Sequence, residues 1–322
     1  MTGVLEPLLL EPAGKGYLWG GGRLRREYNK DLNMDPLAET WECSVHPDGM
    51  SVVKSGAYEG RTLKEVLDEN PEYLGTKHRE LPILIKFIDA QKDLSIQVHP
   101  DDEYAGRVEG SRGKTEFWYV LDAAPGAQII YGFEHPMDRE RLAASIEEGR
   151  LETMLHHVPV YSGDKFLVRA GTVHAIGEGV LLTEIQESSN LTYRLYDYNR
   201  TDRDGKKREL HFDKAVDVLD MKPVEKVSQP QRMVRYYYGC AREIICRCEY
   251  FEVERIQVTK GFSFSVLDSS FQVLLCLEGS GALDTGDADK PMRFGKGDCI
   301  FIPADTGRCH VMGECSLLKV RC

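Results

Sequence analysis

Short apolar runs, punctuated by Gly, Pro and Asp, make up most of this chain. Runs of this length rich in Val, Ile, Phe and Tyr predict strands. In the first two thirds they cover 83–88, 94–98, 116–121, 127–133, 165–168 and 179–187. Later ones cover 250–258, 262–266, 272–277 and 298–302. Helical signals are fewer. Thr62-Leu63-Lys64-Glu65 is a capping box, with Val66 and Leu67 following on one face. Residues 137–158 place Leu142, Ile146, Met154 and Leu155 at broadly helical spacing without a proline, and a short helix is predicted over 212–221. Residues 222–231 are polar, contain Pro223 and Pro230, and have no period, which predicts a linker. Both halves end alike. Gly163-Asp164-x-Phe166-x-Val168-x-Ala170-Gly171 is echoed by Gly297-Asp298-x-Ile300-x-Ile302-Pro303-Ala304, each a turn, a strand and a tight turn. The predicted architecture is mainly β, with two β-barrels of related design and a small helical insertion in the first. The expected division is 1–225, carrying the helical segment, and 235–322.

Composition narrows the class. The 322 residues are 42% hydrophobic and 29% charged, as in a globular protein. No apolar run approaches the roughly 18 residues of a membrane helix. The patch from Val4 to Leu10 is broken by Glu6 and Pro7 and has no basic flank or cleavage site, so no signal peptide is expected. Eight of the nine cysteines lie at or beyond Cys240, and none forms a CxxC pair. They are read as reduced thiols of a cytoplasmic protein. A net charge of −11 argues against nucleic acid as a partner but leaves room for an anionic small substrate.

The chemistry concentrates in Ser95-Ile96-Gln97-Val98-His99-Pro100-Asp101-Asp102. In a strand, residues two apart share a face, so Gln97 and His99 project together. Glu116 follows in Gly113-Lys114-Thr115-Glu116, and His174 in Gly171-Thr172-Val173-His174. Two imidazoles, a carboxylate and an amide oxygen suit a divalent metal such as zinc. Gln97 is the poorest donor of the four and could instead orient His99. Lys114 shares strand parity with Glu116. Alternation puts Arg194 on the face of Thr192 and Tyr196, opposite Leu191, Tyr193 and Leu195. His156-His157 is expected at a helix end, where neighbours face apart and cannot share a metal. His46, His78, His135, His211 and His310 have no evident partner. Gly20-Gly21-Gly22 lacks the pattern of a phosphate loop. The basic run 200–208 contains Arg200, Arg203, Lys206, Lys207 and Arg208 beside Asp202 and Asp204. It reads as a solvated hairpin loop, with phosphate steering as the sharper alternative.

The repeated turns and the His/Glu/His set resemble the cupin superfamily, whose barrels are jelly rolls. Leu81-Pro82-Ile83-Leu84-Ile85-Lys86, the block 94–102, 113–118 and Tyr193-Arg194 resemble the type I mannose-6-phosphate isomerases more closely. Tyr17-Leu18-Trp19-Gly20-Gly21 and Glu39-Thr40-Trp41-Glu42 fit too, and the chain is similar to the shorter bacterial form. The resemblance implies one zinc ion on Gln97, His99, Glu116 and His174. It implies catalytic roles for Arg194, Glu184 (proton transfer) and Lys114, and pocket positions for Lys86 and Ser95. The implied reaction interconverts mannose 6-phosphate and fructose 6-phosphate through a cis-enediol. The substrate is a small phosphosugar; neither nucleic acid nor membrane is an expected partner, and the chain would act as a monomer or homodimer. The second half has His310 as its only histidine. It reads as a degenerate cupin-like barrel that supports the first. Two rivals stand beside this reading: a metal cupin oxygenase and a non-catalytic sugar-phosphate-binding cupin.

Overall fold

The computed structural model describes residues 5–201, 205–225, 227–286 and 291–322. Asp202, Arg203 and Asp204 of the basic run, Val4 of the apolar patch and Lys226 of the linker lie outside the described residues. Among the described residues the strands gather into three sheets of ten, six and five members. Ile83–Ala90, Glu116–Ala123, Lys165–Val168 and Val180–Glu187, with Glu39–Cys43 and Ala13–Lys15, build the six-stranded sheet. Ile96–Val98, Gln128–Phe133, Leu155–Pro159, His174–Ile176 and Tyr193–Tyr196 build the five-stranded one.

Alternation distributes these strands between packed layers. Trp118, Val120 and Leu182 of the six-stranded sheet share a core with Ile129, Val158 and Ile176 of the five-stranded sheet. The opposite face of the six-stranded sheet (Ile83, Ile85, Phe87, Phe117, Ile185) packs on Val253, Val273, Phe301 and Val320 of the ten-stranded sheet. Helices cover the outer face of the five-stranded sheet, where Leu142 and Ala215 meet Phe133 and Leu195. The chain's first strand, Leu8–Glu11, pairs antiparallel with Cys299–Ile302, so residues at the two ends share one sheet. The two echoed turns have the same backbone shape. Gly163 and Gly297 both have φ of +91°, and Asp305 (φ +63°) stands where Gly171 (φ +84°) closes the first. Asp is among the few residues that tolerate this left-handed conformation.

The capping box forms: Thr62 accepts from Glu65 N–H and starts the Leu63–Glu69 helix. The passage 137–158 is not one helix. It is helical over Arg139–Glu147, makes a 3-10 turn at Leu151–Met154, and becomes the strand Leu155–Pro159. Gly149 (φ +67°) breaks the helical phase, and Leu155 and Val158 are then buried in the sheet. His156 and His157 therefore sit on a strand, not at a helix end. Two helices gave no sequence signal that was read: Arg23–Tyr28 and Asp102–Val108.

The second of these positions the site. Asp101 caps it by accepting from Tyr104 N–H at 2.8 Å, which turns the chain sharply away just after His99-Pro100. The chain returns past this corner at Gly113, where a Cβ would stand 2.5 Å from the Asp101 carbonyl carbon. Only glycine permits that approach, and it lets Lys114 N–H donate to Pro100 C=O at 3.0 Å. On the other side, Gly171 N–H donates to His99 C=O at 2.9 Å. Gly113→Ala is expected to lower stability by about 1–3 kcal/mol, the usual cost of overpacking. A urea titration would show a lower midpoint with unchanged slope; an unshifted midpoint would contradict the close approach.

Candidate metal centre

Three side chains from different strands meet between the two facing sheets. His99 follows Ile96–Val98, His174 opens His174–Ile176, and Glu116 opens Glu116–Ala123 from the opposite sheet. Their candidate ligand atoms all lie within 4.8 Å of one another. His99 Nε2 is 3.4 Å from Glu116 Oε2, and His174 Nε2 is 3.3 Å from Glu116 Oε1. Ligands ~2.1 Å from a tetrahedral centre stand ~3.4 Å apart, and each imidazole stands at about that distance from one of the two Glu116 oxygens. All three residues are buried to 1% exposure or less.

The hydrogen bonds fix the imidazoles for ligation. His99 Nδ1–H donates to Leu191 C=O and His174 Nδ1–H to Thr172 C=O, each at 2.8 Å. A carbonyl can only accept, so each Nε2 carries its lone pair toward Glu116. Among the described residues no hydrogen-bond donor is aligned on His174 Nε2 or on either Glu116 oxygen, although Lys114 Nζ stands 2.8 Å from Oε2 as an ion pair. Buried acceptors of this kind are costly unless a cation faces them. Burial, reinforced by Lys114, holds His99 down to about 3, and burial lowers His174 as well. Burial alone would raise Glu116, but neighbouring positive charge, that of Lys114 foremost, overcomes it and holds the carboxyl well below its usual range. Neutral imidazoles around an ionised carboxylate are the protonation states a divalent metal needs.

A cavity of ≈ 340 Å³ adjoins this set. Lys86, Ser95, Gln97, Lys114, Glu184 and Arg194 all line it. Lys114 bridges the two parts, with Nζ 3.1 Å from His99 Nε2. Gln97 lies in register with both His174 and Arg194 on the five-stranded sheet. Arg194 Nε donates to Ser95 Oγ at 3.3 Å, and its Nη1 to Glu209 C=O at 2.9 Å.

Across the six-stranded sheet, Trp118, Glu184, Lys86 and Trp41 stand in one cross-strand row. Trp118 Nε1–H donates to Glu184 Oε2 at 3.0 Å, and Lys86 Nζ lies 2.9 Å from Oε1. Glu39, held at 2.7 Å by Trp41 Nε1–H, stands 3.8 Å from the same ammonium. Lys86 is held above its usual value: burial lowers it, but Glu184 and Glu39 more than compensate. Burial and the charge of Glu116 push Glu184 up. These directions pull against each other for one ion pair. The excess of carboxylates over ammonium groups resolves it, with Lys86 charged and Glu184 the more proton-avid acid.

The nine candidate residues lie at the triad or along the cavity, beside neighbours that the sequence does not single out. In the sequence Glu39 and Trp41 stand out only as part of the family resemblance. Trp118 shares parity with Lys114 and Glu116, a signal that would have found it. Tyr17, Asn190 and Arg208 also line the cavity. Arg208 comes from the basic run and is held by Asp197 at 2.7 Å, so part of that run faces the site.

Comparison with known proteins agrees with this geometry. Residues 8–119 match the family model "Phosphomannose isomerase type I, catalytic domain", and residues 243–322 match "Mannose-6-phosphate isomerase, cupin domain". A mannose-6-phosphate isomerase of Streptococcus mutans is 38% identical, with 92% of each chain covered. The chain belongs to the type I phosphomannose isomerase family. A Bacillus subtilis member is 37% identical over 96% of this chain and 98% of its own. A crystal structure of the mannose 6-phosphate isomerase from Bacillus subtilis superimposes with a TM-score of 0.90 at 36% identity, covering 98% of this chain and 99% of that one. A structure of a putative mannosephosphate isomerase from Archaeoglobus fulgidus, at 23% identity and TM-score 0.78, shows the same fold. No helix among the described residues is long and apolar enough to cross a membrane.

On the strand paired with that of Glu116, Glu187 accepts from Thr115 N–H at 2.9 Å, and burial pushes its carboxyl up to about 7. A carboxyl raised on folding takes up protons as the chain folds. Its contribution is fully present below its ordinary value of 4.5 and is lost as pH rises through about 7. Glu187→Gln keeps an acceptor for Thr115 but cannot titrate. Relative to the parent, the variant should gain stability between pH 5 and pH 8 by urea titration. A difference that stays constant across that window would contradict the assignment.

Proposed function

We propose that this chain interconverts mannose 6-phosphate and fructose 6-phosphate, moving a proton between C1 and C2 of the open-chain sugar through a cis-enediol. One observation carries the reading. A buried His/Glu/His triad with the spacing of metal ligands and a carboxyl raised by burial, Glu184, meet beside a cavity lined by Lys86, Lys114 and Arg194. Family membership and the activity named for the relatives support it.

In this proposal His99, Glu116 and His174 hold the metal, with Gln97 as the fourth protein group. Imidazole and carboxylate donors favour zinc, one ion per chain. The bound ion supplies Lewis-acid stabilisation of negative charge on the reacting oxygens. Glu184 accepts the carbon-bound proton and returns it to the neighbouring carbon, oriented by Trp118 and Lys86. Lys114 and Arg194 offset the charge that develops or arrives with the phosphosugar. Lys86 and Ser95 position the substrate. Residues 1–225 form the catalytic part and 235–322 the supporting part; their pairing through Leu8–Glu11 and Cys299–Ile302 favours rigid support. Cations around the cavity favour an anionic sugar over the rival oxygenase reading.

A coupled assay with both phosphosugars tests this directly. The natively purified enzyme should turn over, lose activity with a chelator, and recover it with a divalent ion. Chelator-insensitive turnover would contradict the metal's role, and no turnover by metal-loaded protein would favour a binding function instead. Glu184→Gln should cut turnover ~10²–10⁴-fold, the usual worth of acid–base help, while leaving metal content intact. Near-normal turnover would remove Glu184 from that role.

A further inference from the structure

Beyond the strand Tyr193–Tyr196 the chain turns back on itself. Tyr198 and Asn199 both have φ of +53°, Arg200 N–H donates to Asp197 C=O at 3.0 Å, and Thr201 bridges Lys207. A tyrosine in the left-handed region is uncommon and persists only where its surroundings hold it. The turn returns Arg208 to the side of Asp197, which is 6% exposed. Asp197 accepts from Arg208 Nε at 2.7 Å and Nη2 at 2.5 Å, a two-point pairing, and from Arg200 Nη2. Arg200 Nη1 also donates to Asp93 C=O at 2.5 Å. The carbonyl next to Arg208, that of Glu209, accepts from Arg194 Nη1, so Arg208 and Arg194 are neighbours on the cavity wall.

The charges of this group do not cancel. Asp197 is one carboxylate shared by two guanidinium groups. Among the described residues the Arg194 side chain donates to neutral oxygens alone, Ser95 Oγ and Glu209 C=O. Three guanidinium groups against one carboxylate leave two positive charges in excess. Burial first and the charge of Arg208 second pull Arg194 below its ordinary value, as like charges held close must. Lys86 and Lys114 differ: Glu184 and Glu116 answer them at 2.9 and 2.8 Å. The position is also distinctive. Tyr17, Trp19 and Arg208 line both the cavity beside the triad and a second one of ≈ 600 Å³, so they mark the boundary between the two. Lys86, Lys114 and Glu184 line the inner cavity and not the outer, whereas Asp35 lines the outer and not the inner.

Given the phosphosugar reading above, we propose that Asp197 is a positioning residue: it holds Arg208 beside Arg194, and these two guanidinium groups seat the phosphate of the substrate. The chemistry of the substrate fits the place. In the open-chain sugar the reacting carbons C1 and C2 lie at one end and the phosphate on C6 at the other. With C1 and C2 near the triad and Glu184, the phosphate falls toward the boundary that Arg208 marks. A phosphate monoester carries roughly −1.5 to −2 at pH 7, which matches the excess of positive charge. Guanidinium groups fit phosphate oxygens two at a time, and the two-point hold of Asp197 fixes the plane that Arg208 presents.

Calorimetric titration of the metal-loaded protein with inorganic phosphate tests the seat without turnover. The parent should bind phosphate, and Arg208→Met should weaken binding about 10–100-fold, the worth of a hydrogen-bonded charge. This variant leaves Asp197 paired with Arg200, so the turn keeps an anchor. Phosphate held at the metal instead would bind Arg208→Met as tightly as the parent; that result, or a parent that binds no phosphate, would overturn the seat. Asp197→Asn separates positioning from charge. Removing a negative charge by itself strengthens an anion site, whereas loosening Arg208 weakens it. The variant should bind phosphate several-fold more weakly, and equal or tighter binding would overturn the positioning role. In the coupled assay Arg208→Met should raise KM for mannose 6-phosphate by a similar factor with a much smaller fall in kcat; a loss confined to kcat would count against the seat. A parent whose phosphate binding depends on Arg208 but which turns over neither phosphosugar would support the seat while removing the isomerase reading.

Discussion

The structure turns on one buried carboxylate. Glu116 is fully removed from water, and an isolated charge in that position would cost several kcal/mol. The Lys114 ammonium at 2.8 Å answers part of that cost, while the two imidazole nitrogens at 3.3 and 3.4 Å present lone pairs and leave the rest to a cation. The local backbone exists to bring these groups together. Asp101 turns the chain after His99, Gly113 lets it return, and Gly171 ties the loop before His174 to the His99 carbonyl. A metal ion would complete the balance, because the imidazoles are neutral and aim lone pairs inward.

The second charged group depends on sheet register. Trp118, Glu184, Lys86 and Trp41 face the same interior across four adjacent strands. A one-residue slip in any pairing would send one of them into the apolar layer on the other side. That layer, shared with the ten-stranded sheet, is strongly hydrophobic and leaves no room for a misplaced lysine or glutamate. Core packing thereby sets the geometry of the acid–base pair, and the close indole donors keep its carboxyls oriented.

Much of this was legible in the sequence because it is local. Apolar runs located about half of the strands and missed others, the long Gly307–Arg321 among them; the parity of Gln97 with His99 and of Lys114 with Glu116 placed each pair on one face. Convergence of the metal set came from the residue types and the family resemblance, since spacing alone does not bring Glu116 across to the opposite sheet. Non-local pairing stayed hidden: nothing in Leu8–Glu11 announces Cys299–Ile302 as its partner. The passage 137–158 misled because its apolar spacing stays helix-like beyond Gly149, where a single left-handed residue resets the phase. Asp102–Val108 was overlooked because it buries only Ala105 and so lacks an amphipathic stripe.

The most direct measurement is anomalous diffraction from crystals of protein purified without chelator. The account predicts one strong peak per chain within bonding distance of His99 Nε2, His174 Nε2 and a Glu116 oxygen, with the absorption edge naming the element. A metal bound elsewhere, with these three side chains engaged only with one another and Lys114, would contradict it.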